Sequence, residues 1–396
     1  MYEHKSLIIK ELEFISQQIK NVNFSGNESG VLTGLSGIAL FQIYYSKYKK
    51  DRNEYRLGEE KLIDCIEGVG TKYGMSTYCS GLAGVGWVLS HLEQEKFLEP
   101  MDNSLYAKMD SHLYKLMIND INEGYYDFLH GSLGYSYYFL IRYNLSGNPF
   151  YKKCLSDFLI SLKKCSQKDE FGIKWVSSIT SNSDINLSLA HGMSSILNFL
   201  SRTILIPELQ AISKELLIES TEFICSKLNK NENPFVFFPS TLKSEDKELI
   251  YNSRLAWCYG DLGIGISLLK SARATNNTQL NHQILQMLFS TTRRKTEQQT
   301  NVNDPMICHG SFGLYTMYDY LYDLTKNRHF YEASIYWFNK GFNQKDENLK
   351  TYAMWNAELF RYDKNDTLLN GLSGVGLSLI SFLTGWNRWT ESIMLK

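Results

Sequence analysis

The chain has little of several things. Six prolines occur in 396 residues, none inside the long apolar runs; because proline removes a backbone donor and breaks helix interiors, this favours a mostly helical protein. No uninterrupted apolar stretch reaches the roughly 20 residues that span a bilayer, and the opening Met1-Tyr2-Glu3-His4-Lys5 lacks the apolar centre of a secretion signal. Neither sign of charge prevails: the formal net charge is -1, so no basic surface advertises nucleic acid. The seven cysteines are odd in number, without disulfide-like spacing, which fits a reducing compartment and a cytoplasmic location. There is no aspartate-rich diphosphate site of the terpene cyclase kind, and no carboxylate pair of the kind a glycosidase sets across its cleft.

What the chain has is repetition. A glycine turn recurs as Gly34-Leu35-Ser36-Gly37, Gly81-Leu82-Ala83-Gly84, Gly131-Ser132-Leu133-Gly134, Gly192-Met193-Ser194-Ser195, Gly260-Asp261-Leu262-Gly263, Gly310-Ser311-Phe312-Gly313 and Gly371-Leu372-Ser373-Gly374. An apolar run follows each, for example Val85-Gly86-Trp87-Val88-Leu89, and the period of roughly 50 to 70 residues suits one helical hairpin plus its connections. The near-continuous runs read as inner helices buried on most sides. Between them, segments such as Leu7 to Ile15, Leu105 to Met109 and Phe223 to Leu228 are apolar at i, i+3, i+4 spacing and read as outer helices. Two intervals rich in β-branched or aromatic residues, Phe171 to Ile179 and Pro234 to Pro239, read as short inserted strands.

Length alone suggests two or three domains, but a repeat running from Gly34 to Gly374 argues for one domain over residues 1–396, with strand-containing insertions near 168–186 and 232–250. Open stacks and closed rings are the two ways to arrange repeats. With no polar capping repeat at either end, closure is favoured. The expected fold is all-α, an (α/α)7 toroid of seven inner and seven outer helices.

If the inner helices run parallel, their N-termini gather at one rim, where partial positive charge favours an anion. Residues just before the repeat glycines then become candidates: Asp127, His130, His191, Arg254, Trp257, Cys258, Cys308, His309 and Asn370. Cys258, Cys308 and His309 are three soft donors in near-identical turns. A structural zinc fills all four positions with protein ligands, whereas a catalytic zinc takes three and leaves one open. Two buried cysteines and a hydrogen-bonded histidine is the other reading of the same residues. His191 reads as a cap or core histidine, or as an acid or base beside the metal. Asp127 reads as a cap partner or a functional carboxylate, and Arg254 as one half of an ion pair or as a countercharge. His130 reads as structural, as do Cys65, Cys79, Cys154, Cys165 and Cys225.

Asp127 with its turn, Ala190-His191-Gly192, Arg254-Leu255-Ala256-Trp257-Cys258-Tyr259-Gly260, Cys308-His309-Gly310 and Asn370-Gly371-Leu372-Ser373-Gly374-Val375-Gly376 together resemble the LanC-type lanthionine cyclases over nearly the whole chain. Leu262 stands where many members carry proline, and Ser195 replaces the second glycine of its turn. The resemblance implies zinc held by Cys258, Cys308 and His309, with Asp127, His191 and Arg254 around it. It implies a stand-alone cyclase that adds peptide cysteine thiolates to dehydroalanine or dehydrobutyrine in a dehydrated precursor peptide. A dehydratase and a transporter would be its partners, assembled at the inner membrane face. Two alternatives keep the same ligands: a LanC-like glutathione transferase acting on dehydrated proteins, and a non-catalytic peptide-binding toroid stabilised by zinc.

Overall fold

The computed structural model describes residues 2–20, 27–101, 103–177, 183–231, 235–243 and 248–396. Seven helices begin at the glycine turns: α2 (Leu35–Lys49), α4 (Leu82–Gln94), α6 (Ser132–Ser146), α8 (Met193–Thr203), α10 (Asp261–Ala274), α13 (Ser311–Thr325) and α15 (Leu372–Thr384). Alternating with them are α1 (Tyr2–Lys20), α3 (Arg52–Glu67), α5 (Asn103–Asn122), α7 (Pro149–Lys164), α9 (Gln210–Ser226), α11 (Thr278–Thr291) and α14 (Arg328–Phe342). A further α-helical turn, α12, spans Glu297–Thr300, and 3-10 turns lie at Pro207–Leu209 and Arg388–Ile393.

The two sets bury themselves differently. In α4 every residue from Ala83 to Leu92 is buried, as an all-round apolar helix requires. In α7 the buried residues are Tyr151, Cys154, Leu155, Phe158, Leu159 and Leu162, a stripe at three- and four-residue spacing. At about 1.5–3 kcal/mol for each large apolar side chain removed from water, that stripe is what holds α7 down.

Their starts differ too. Side chains cap three of the alternating helices: Asp51 accepts from the Asn53 amide, Asn148 from that of Phe150, and Asn277 from that of Leu280. The glycine-turn helices are capped by their own loops. The amides of Leu35, Leu82, Ser132, Ser311 and Leu372 donate to the carbonyls of Glu28, Met75, Tyr125, Asp304 and Asn365 respectively, each seven residues earlier. In these five turns the first helical amide, expected to favour an anion at the rim, is therefore already bonded within the chain.

This closure dictates the glycine. A Cβ on Gly81 would lie 2.3 Å from the Met75 carbonyl, and one on Gly371 would lie 2.3 Å from that of Asn365. The backbone at both is ordinary extended chain, with φ -141 and -151, so it is the close approach that demands glycine. Gly260 adds a second constraint: its φ is +119, and a Cβ would sit 1.8 Å from the Arg254 carbonyl oxygen.

The chain divides into two compact units. In the unit of residues 1–110, 303–320 and 334–396, α2 packs on α3, α4 and α15, and α1 packs on α2 and α15. In the unit of residues 111–302 and 321–333, α10 packs on α8, α9 and α11, while α6 packs on α7 and α8.

Among the described residues strands are few and short. β1 (Gln167–Asp169) and β2 (Gly172–Lys174) form an antiparallel hairpin whose second strand lies on α9. β3 (Ile185–Asn186) pairs with β4 (Thr241–Leu242). Of the first expected strand, Gly172–Lys174 is extended in a ladder, while Ser178 and Ile179 lie outside the described residues, as does Pro234 of the second. Residues 235–239 form no ladder. The amides of Phe237 and Phe238 donate instead to the Asp261 carboxylate, at 3.1 and 2.9 Å. Asp261 opens α10, is fully buried, and pairs with Arg294 at 2.8 Å. Burial pushes its carboxyl up to about 6, against the opposing pull of Arg294 and the two amides. A second hairpin, β5 (Met354–Asn356) with β6 (Arg361–Asp363), was not expected.

Candidate metal centre

The residue two before each turn's first glycine is Leu32, Cys79, Leu129, Ala190, Cys258, Cys308 or Leu369. Backbone bonds at this position join neighbouring turns. The Cys308 amide donates to Leu369 at 3.0 Å, that of Leu369 to Leu32 at 2.9 Å, that of Leu32 to Cys79 at 3.1 Å, and that of Ala190 to Cys258 at 3.2 Å. The second glycine lets the turns approach: a Cβ on Gly374 would lie 2.6 Å from Ile307 Cγ1, and one on Gly263 would lie 3.0 Å from Leu189 Cβ. Ser195, which departs from that glycine, turns its hydroxyl back onto the Gly192 carbonyl at 2.7 Å.

Cys258 and Cys308 occupy this bonded position. The residue after it is polar in every copy: Thr33, Ser80, His130, His191, Tyr259, His309 and Asn370. The donor atoms of Cys258, Cys308 and His309 all lie within 4.8 Å of one another, and the three could hold a metal ion. Zinc bonds of about 2.3 Å to sulfur and 2.0–2.1 Å to nitrogen place tetrahedral donors about 3.5–3.8 Å apart. A set of two sulfurs and one imidazole suits zinc.

His191 lies on the turn whose Ala190 is bonded to Cys258. Its Nδ1 is 2.8 Å from Asp127 Oδ2, its ring is one-fifth exposed, and the Asp127 side chain is buried. The other carboxylate oxygen of Asp127 accepts the His130 amide at 2.7 Å. One oxygen of Asp127 thus ties the turn, and the other lies against an imidazole. His130, read as structural, stacks its ring against His191 with centroids 6.0 Å apart. The Tyr259 ring is tilted against that of His191 with centroids 6.1 Å apart. Burial, then the charges of Cys258 and Asp127, raises the Tyr259 hydroxyl, with the Asn186 amide acting the other way.

Arg254 stands six residues before Gly260, its carbonyl packed against that glycine. No ion pair among the described residues involves its guanidinium, so the structure gives it neither the carboxylate partner nor a contact with His191. Asn370 carries a buried Oδ1 that finds no partner among the described residues.

Asp304 was missed by reading the sequence. It is buried, its Oδ1 accepts the Met306 amide at 2.9 Å, its Oδ2 accepts the Trp355 amide of β5 at 3.0 Å, and Oδ2 also lies 3.5 Å from His309 Nε2. Aligning the turns was the available signal, since Asn186 and Asn365 stand at the same place.

Comparison with known proteins gives these turns a context. The model of the family described as lanthionine synthetase C-like protein matches residues 26–395. The chain belongs to the lanthionine synthetase C-like family. Within it, the nisin biosynthesis protein NisC of Lactococcus lactis subsp. lactis is 23% identical over 402 residues, which covers 94% of this chain and 90% of that protein. The solved structure of nisin cyclase matches with a TM-score of 0.74 at 19% identity, covering 100% of this chain and 98% of that one. The fold is therefore the family's, and it is consistent with the all-α toroid expected from the repeat. No helix among the described residues is long and apolar enough to cross a membrane.

Proposed function

We propose that the chain is a zinc-dependent lanthipeptide cyclase acting on a dehydrated precursor peptide. The observation that carries this reading is the convergence of Cys258, Cys308 and His309 within 4.8 Å in a member of this family. The reaction is an addition. The S–H of a peptide cysteine is lost, a C–S bond forms to the β-carbon of a dehydroalanine or dehydrobutyrine in the same peptide, and a proton is taken up at the α-carbon. Mass is unchanged.

Cys258, Cys308 and His309 would hold the ion, leaving one position for the incoming thiol. Zinc bound there would supply Lewis-acid chemistry that lowers the pKa of a thiol, which is near 8.5 when unperturbed. The remaining steps fall to the chain's own groups. With Nδ1 held by Asp127, the His191 imidazole is fixed in orientation and tautomer, and Nε2 is left to carry a proton to or from the substrate. Tyr259 and His130 flank that ring and limit its rotation. Arg254, without a carboxylate of its own among the described residues, supplies positive charge for the negative charge that develops on the acceptor carbonyl.

A dehydratase must supply the unsaturated peptide, and a transporter would take the product away. The enzyme would work in the cytoplasm, at the inner membrane face through those partners. The test incubates the purified protein with a dehydrated precursor and reads both mass and alkylatable thiol. Loss of thiol at constant mass supports the reading. Unchanged thiol with the precursor, alongside addition of glutathione to dehydrated protein, would replace it with the transferase alternative.

A further inference from the structure

We propose that Asp304 is a positioning residue for the metal centre, orienting His309 through Nε2 so that Nδ1 faces the two sulfurs. This rests on the reading of Cys258, Cys308 and His309 as metal ligands. The geometry comes from one buried carboxylate with three neighbours: the Met306 amide at 2.9 Å on Oδ1, the Trp355 amide at 3.0 Å on Oδ2, and His309 Nε2 at 3.5 Å from Oδ2. The two amides fix the carboxylate in place, and a small rotation of the imidazole closes the third contact to hydrogen-bond distance. A nitrogen engaged in this way is not available to the metal, so the ring offers Nδ1.

The other copies of the turn show what the carboxylate adds. Asn186 accepts the Ser188 amide at 2.9 Å, and Asn365 accepts that of Thr367 at 2.9 Å, in the same local turn that Asp304 makes with Met306. The turn is therefore built with a neutral amide twice and with an acid once. The acid stands five residues before the histidine of the metal cluster. Gly310 also makes room for it, since a Cβ there would lie 2.4 Å from Asp304 Oδ1. A ligating imidazole whose second nitrogen donates to a carboxylate is held in one tautomer and made more basic, and losing such a partner weakens metal binding about 10- to 100-fold.

The test substitutes Asp304→Asn, which keeps the turn made by Asn186 and Asn365. Zinc affinity is measured by competition with a chromogenic chelator, and the ligand field by the absorption of the Co2+-loaded protein. Asp304→Asn is expected to weaken zinc about 10- to 100-fold and to shift the cobalt bands, with helical circular dichroism unchanged. The decisive arm repeats the substitution in a His309→Cys background, where no imidazole remains to be oriented. There Asp304→Asn should leave zinc affinity unchanged.

Wild-type affinity in Asp304→Asn, or an equal loss in both backgrounds, would overturn the assignment. If Asp304→Asn does not accumulate as folded protein, Asp304→Ser keeps a turn acceptor and is read in its place. Failure of the metal reading itself looks different: the wild type would then hold no stoichiometric zinc, and Cys308→Ala would bind as the wild type does.

Discussion

Asp127 Oδ2 and His191 Nδ1 lie 2.8 Å apart, while the other oxygen of the same carboxylate secures the turn that carries His130. An acid that anchors a loop with one oxygen and orients an imidazole with the other makes the position of His191 a property of the backbone. His191→Ala is accordingly expected to lower the single-turnover rate of ring closure about 10²- to 10⁴-fold with zinc content unchanged. Asp127→Asn should act in the same direction by presenting the wrong hydrogen-bond partner to Nδ1. Rates within a factor of three of wild type for both variants would remove His191 from the mechanism.

Metal removal should separate chemistry from fold. Each turn carrying a ligand is tied to another turn of its own unit through the backbone, by the bonds from Cys308 to Leu369 and from Ala190 to Cys258, and these bonds need no ion. Stripping zinc with a chelator is expected to abolish turnover while leaving helical circular dichroism intact. Loss of helix in step with loss of metal would favour the non-catalytic, zinc-stabilised toroid.

Gly260 offers a stability test of the turn. Alanine at Gly124, which has φ +78 and nothing within 4 Å of a new Cβ, should cost about 1–2 kcal/mol for the left-handed backbone alone. Alanine at Gly260 meets the Arg254 carbonyl as well, and should exceed that by about 2 kcal/mol or more. Equal midpoints in denaturant for the two variants would contradict the close-approach argument.

The Asp261–Arg294 pair predicts a pH dependence. The folded carboxyl sits near 6, above its ordinary 3.8. The folded state therefore binds more protons between those values, and stability falls as pH rises from about 4 to about 6. Arg294→Met removes the group that favours the ionised form, so the folded value climbs further and the fall extends beyond pH 6. At pH 7 the variant should lose about 3–5 kcal/mol, with a smaller deficit near pH 5. A deficit independent of pH would show that the loss comes from packing.

The helical architecture was legible because glycine spacing and apolar runs encode it locally, as the all-round burial of α4 and the stripe of α7 show. The grouping of Cys258, Cys308 and His309 was legible because two copies of the recurring turn carry them just before its first glycine. The segment from Phe235 to Pro239 misled because aromatic content imitates a strand. Its amides go to Asp261, a partner more than 20 residues away that no local pattern reveals. The β5–β6 hairpin and the placement of Asp304 were hidden for a similar reason. Trp355 and Asp304 are 51 residues apart, and only the folded chain brings the amide of one to the carboxylate of the other.

The central claim is that three donors create an open metal position at which a peptide thiol becomes nucleophilic. Its most direct test compares wild type with a folded Cys258→Ala variant on dehydrated precursor, following zinc stoichiometry and alkylatable thiol together. The account predicts one zinc and thiol loss at constant mass for the wild type, and neither for the variant. Ring closure at the wild-type rate by a zinc-free Cys258→Ala protein would contradict it.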